Sequence, residues 1–97
     1  MTIKPRDLSK ALTAKGFRKV EGGDHDFYFY YDENGNKTKI RTKLSRGSHG
    51  KKPIDESMIG IIKEQMHFDK KEQLIQFVEC KFTAEDYRNM INKKNLK

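Results

Sequence analysis

A chain of 97 residues supplies one modest hydrophobic core and too little for two, so it reads as a single domain, 1–97, with a core unit at about 4–68 and a helical extension at about 69–97. Lys and Arg number 21 against 14 Asp and Glu, a net charge of +7, which points to a polyanionic partner: nucleic acid first, an anionic membrane surface or an acidic protein second. No stretch approaches the ~18 apolar residues of a membrane span and MTIKPRDLSK lacks a signal peptide's apolar centre, so no membrane association and a cytoplasmic location are expected.

Pro5 at a first helical position, followed by Leu8, Ala11 and Leu12 at helical spacing, predicts an amphipathic helix of about three turns. Gly16 should stop it, with Phe17 packing back beneath. The period then changes. FRKVE is a strand candidate, Gly22-Gly23 a turn, and HDFYFYY a second strand rich in aromatic residues.

Asn34-Gly35 predicts a two-residue type I′ hairpin loop. Counting outward from it pairs Tyr31 with Thr38, Phe29 with Ile40 and Phe27 with Thr42. That register puts Phe27, Phe29, Ile40 and Leu44 on the core face, and Tyr28 and Tyr30 outside beside Lys37, Lys39, Arg41 and Lys43. Strict alternation sets His25 on the core side, whereas paired glycines before it permit a bulge that turns it outward. Across 36–53 every charged residue is basic: Lys37, Lys39, Arg41, Lys43, Arg46, Lys51 and Lys52. SRGSHGKKP is a polar loop suited to clamping phosphate or simply to connecting.

After Pro53 a helix is expected with Met58, Ile61, Ile62 and Met66 inward. DKKE at 69–72 resembles a capping box that opens a helix through Leu74, Ile75 and Val78. Thr83 with Asp86 opens another, with Tyr87, Met90 and Ile91 inward. The layout is α+β: α-β-β-β-α with a three-stranded antiparallel sheet covered on one face, plus the C-terminal helical extension. Cys80 is the single cysteine, and His25, His49 and His67 lie far apart, so neither a metal site nor another cofactor is expected.

The order α-β-β-β-α, with Lys15-Gly16-Phe17 and then Gly23-Asp24-His25-x-x-Tyr28 entering the second strand, resembles the HicA family of bacterial and archaeal toxins. Past the third strand the likeness continues through His49-Gly50, Met58, Ile61, Ile62 and Gln65, and it spans about 4–68. The resemblance implies a fold like that of double-stranded-RNA-binding domains and a metal-independent endoribonuclease that cleaves mRNA, an mRNA interferase. It also implies a HicB-like antitoxin as protein partner, and it assigns the catalytic role to His25. Asp24 stands where the family commonly has Ser, and 69–97 extends past the compact family unit. The tripeptide Gly47-Ser48-His49 matches the family motif letter for letter but follows the third strand, so position favours His25, with His49 as its rival or a helper and Asp24 as a candidate helper.

Metal-free RNA cleavage needs a base for the 2′-hydroxyl, an acid for the leaving 5′-oxygen and positive charge on the phosphate. Imidazole, with an ordinary pKa of ~6.5, suits the first two. Lys39, Arg41, Lys43 and Arg46 are the candidates for the third, with Tyr28 and Tyr30 expected to stack on unpaired bases. Two alternatives use the same features: a non-catalytic RNA-binding module, and an adaptor whose C-terminal helices make a protein contact.

Overall fold

A computed structural model describes residues 2–45 and 52–95. The elements run α1 (Pro5–Ala14), β1 (Phe17–Gly22), β2 (His25–Tyr31), β3 (Lys37–Ser45), α2 (Glu56–Gln65), α3 (Lys71–Val78) and α4 (Ala84–Lys94). Pro5 sits in the first turn of α1, and Gly16, at φ +103, reverses the chain into β1. The strands form an antiparallel sheet in the order β1-β2-β3. The architecture is therefore α+β, with α1 packed on β1, α2 on β3, and α3 between the two helices.

The β1–β2 connection is a two-residue loop, Gly23-Asp24, in which Gly23 holds φ +62 and Gly22 pairs with His25. Glycine in the first loop position suits a type II′ turn. The β2–β3 connection differs from expectation. Gly35 N–H donates to the Asp32 carbonyl, and Asp32 N–H donates to the Asn36 carbonyl at 2.9 Å, so Glu33, Asn34 and Gly35 form a three-residue loop. Only Gly35, at φ +79, is left-handed, and Asp32 Oδ1 accepts from the backbone of Asn34 and Asn36. This is a type I turn closed by a glycine bulge.

One extra loop residue shifts the pairing by one and exchanges the faces of β2, and a two-residue irregularity in β3 then moves the register again without changing faces. Tyr31 pairs with Lys37, Phe29 with Arg41, Tyr28 with Thr42 and Phe27 with Lys43. The expected register, and with it the inward placement of Phe27 and Phe29, is thus corrected. Tyr28 and Tyr30, expected outside, are core residues at 1% and 3% exposure. An irregularity in β3 falls between the Phe29 and Tyr31 pairings, and the Thr38 hydroxyl spans it, donating to the Tyr30 carbonyl and accepting from Ile40 N–H. It thereby occupies backbone groups at the break in the ladder.

Inside the sheet, Phe17, Tyr28, Tyr30, Ile40 and Leu44 join Leu8 and Leu12 of α1 in one core cluster. The Tyr28 hydroxyl bonds Ser9 Oγ of α1 at 2.7 Å, and Thr42 Oγ1 donates to Gln65 Oε1 of α2 at 2.7 Å. Helix α2 turns Ile59 and Ile62 inward, with Met66 just beyond its end. Met58 and Ile61, expected inside, are 39% and 50% exposed. Both stripes satisfy a 3.6-residue period, and the packing of α2 on β3 and α3 selects the second.

The C-terminal helices belong to the same cluster. Leu74 and Phe77 of α3 and Tyr87 and Ile91 of α4 are fully buried. The Tyr87 ring lies 5.5 Å from Phe17 and 5.1 Å from Tyr30, its hydroxyl donates to the Met66 carbonyl, and burial pushes its pKa upward. The Thr83–Asp86 capping box forms as expected. At α3 the start moves: Lys70 is the N-cap, and Gln73 Oε1, not Glu72, accepts from Asp69 and Lys70 N–H. Lys15, at the end of α1, donates to the carbonyls of Phe77 and Phe82, closing the C-terminal end of α3.

Candidate nucleic-acid face around His25

The register that buries Tyr28 and Tyr30 turns the alternate residues of β2 away from the helices. His25, Phe27, Phe29 and Tyr31 form one row along the middle strand, each half-buried by its neighbours. His25 is therefore on the outer face, opposite to the side that simple alternation from a two-residue loop assigns.

Pairing across the three strands builds three rows on this face. Gly22, His25 and Ser45 form the first, Val20, Phe27 and Lys43 the second, and Arg18, Phe29 and Arg41 the third. Beyond them Tyr31 pairs with Lys37. Lys37, Lys39, Arg41 and Lys43 are all exposed, on the outer side of β3 as expected, because Ile40 and Leu44 hold the opposite phase in the core. Among the described residues the outward positions of the three strands include no carboxylate.

The rings are held in defined places. The Lys37 ammonium lies 4.0 Å from the Phe29 ring centroid and the Arg18 guanidinium 4.1 Å from that of Tyr31. Such contacts at exposed sites contribute ~0.5–1 kcal/mol each. The Phe27 ring is tilted 46° from His25 at 6.5 Å and occupies the space beside Gly22, where an added Cβ would come within 2.9 Å of it. A small cleft of about 170 Å³ is lined by Phe27, Arg41, Thr42, Lys43 and Gln65.

Asp24 is exposed in the turn preceding His25. Asp26 points to the other face, where Lys19 approaches it at 3.6 Å. Lys52 is exposed, while Arg46, His49 and Lys51 lie outside the described residues. Among the described residues no three His, Cys, Asp or Glu side chains converge as metal ligands, and no helix is long and apolar enough to cross a membrane. The structure thus brings His25 together with Lys39, Arg41 and Lys43 on one surface and removes Tyr28 and Tyr30 from it. The aromatic members of that surface, Phe27, Phe29 and Tyr31, were legible only through the turn: Asp32 three residues before Gly35 is the pattern of a type I turn ending in glycine.

No protein-family model, no curated protein and no solved structure matches this chain.

Proposed function

We propose that this chain is a HicA-like toxin, an endoribonuclease of double-stranded-RNA-binding-domain-like fold that cleaves mRNA and is neutralised by a HicB-like antitoxin. The observation that supports this reading is the position of His25: it opens the middle strand, directly after a glycine-containing turn, on a solvent-facing sheet surface whose charged residues are all cations. Imidazole takes the 2′-hydroxyl proton as the 2′-oxygen attacks phosphorus. The P–O5′ bond breaks and the 5′-oxygen leaves with the proton that the imidazolium returns, giving a 2′,3′-cyclic phosphate and a 5′-hydroxyl end. Lys43 and Arg41, in the two rows that follow the His25 row, are candidates to offset charge on the phosphorane. An antitoxin bearing acidic and apolar groups would silence the enzyme by covering this face.

The test is incubation of a long single-stranded RNA with wild-type protein and with His25→Ala, with and without EDTA. Cleavage that survives EDTA, yields cyclic-phosphate ends and falls ~10²–10⁴-fold in a folded His25→Ala variant supports the assignment. Undiminished cleavage by that variant overturns it, and His49→Ala in parallel tests the rival histidine. RNA binding without cleavage by the wild-type protein would favour the non-catalytic RNA-binding module.

A further inference from the structure

We infer that Phe27 and Val20 form a seat for one unpaired nucleobase next to His25, a proposal that rests on the RNA reading of this face. Val20, Phe27 and Lys43 are direct partners across the three strands, so they form one line: an exposed aliphatic side chain, a ring and an ammonium. Val20 is 49% exposed, among the most exposed large apolar side chains of the described residues. The ring is braced from behind by Gly22, whose missing side chain leaves the room that the ring occupies. Phe29 and Tyr31 already carry Lys37 and Arg18 on their faces, whereas among the described contacts Phe27 carries no cation.

An apolar floor ending in cations matches the two chemistries of an unpaired nucleotide, a flat ring and an anionic phosphate. A duplex offers phosphates to Arg41 and Lys43 but keeps its bases stacked, leaving Val20 and Phe27 without a ligand. Alternate residues of a strand are ~6.7 Å apart, so a base on Phe27 holds its ribose beside the His25 row. On this view Phe27 determines which RNA is held, and Lys43 anchors its phosphate.

The chain contains no tryptophan, so Phe27→Trp places a single tryptophan, excited selectively over the four tyrosines, at the seat. It is titrated with a 2′-O-methyl oligouridylate, which resists 2′-hydroxyl attack, with a duplex of equal length, and with inorganic polyphosphate. Quenching by the unpaired strand and none by polyphosphate is expected. In parallel, Phe27→Leu should weaken binding of the unpaired strand roughly 5- to 150-fold and leave polyphosphate affinity unchanged. Gly22→Ala, which displaces the ring, should do the same to a lesser degree. Equal losses for both ligands, or none for either, overturn the seat, as does emission that the unpaired strand leaves unchanged. Because binding alone is read, the result separates from the cleavage assay: Phe27-dependent binding without cleavage removes the nuclease and keeps the seat, and cleavage with Phe27-independent binding does the reverse.

Discussion

Tyr28 and Tyr30 on one face of β2, and Phe27, Phe29 and Tyr31 on the other, are interleaved in sequence and differ in what closes over them. The inner pair is covered by helices: Ser9 of α1 bonds the Tyr28 hydroxyl, and the rings of Phe17 and Tyr87 enclose Tyr30. Burial, more than the nearby Glu33, raises the Tyr30 pKa. The outer row is covered only in part, by cations from the adjoining strands. Five aromatic residues in one strand thus divide into a structural set and a set available to a ligand. The division is made by the sheet's pairing rather than by residue type.

The sharpest way to break this comparison is to truncate neighbours. Tyr30→Ala should cost ~3–5 kcal/mol of stability by leaving a cavity among Phe17 and Tyr87, whereas Phe29→Ala should cost under ~1 kcal/mol, both read from denaturant midpoints. Equal costs would mean that the faces are not inner and outer. Tyr28→Phe removes only the hydroxyl that bonds Ser9 and should cost ~0.5–1.5 kcal/mol. On the outer face, replacing Arg41 and Lys43 together with Ala should leave stability within ~0.5 kcal/mol and lower the slope of log affinity for unpaired RNA against log salt by ~0.7 per lost phosphate contact. An unchanged slope would move the binding surface elsewhere.

The smallest effect belongs to a contact remote from both faces. Asp69 accepts from Lys94 at 2.7 Å, a hydrogen bond that lowers its pKa. Its contribution is present above the ordinary carboxylate pKa and is lost as pH falls through the depressed one. Asp69→Asn should therefore lower stability slightly at neutral pH, and its difference from the wild type should shrink as pH falls below about 4.

Much of this layout was legible because it depends on local chemistry. Pro5 and Gly16 bracket α1, Thr83 and Asp86 cap α4, and the phase of β3 follows from Ile40 and Leu44 wherever its partner strand lies. The face of β2 was not legible in that way. Its parity depends on whether the chain turns through two residues or three, and Asn-Gly satisfies the shorter turn while the Asp32 side chain stabilises the longer one. The side on which His25 stands follows from that same count. Helix α2 carries isoleucines at 59, 61 and 62, so two apolar stripes compete, and only contact with β3 and α3 decides between them.

Tyr87 has a consequence in time. It is the ring that touches Phe17, Tyr30, Phe68 and Phe77 at once, yet it follows the last strand by some forty residues. During synthesis, at ~5–20 residues per second, the sheet emerges seconds before its cover. Through that interval α1 can already cover Tyr28, while Tyr30 and Phe17 still lack the ring that closes over them. The outer surface that carries His25 consequently acquires its final shape only when α4 has packed, which makes that helix the timer of the sheet.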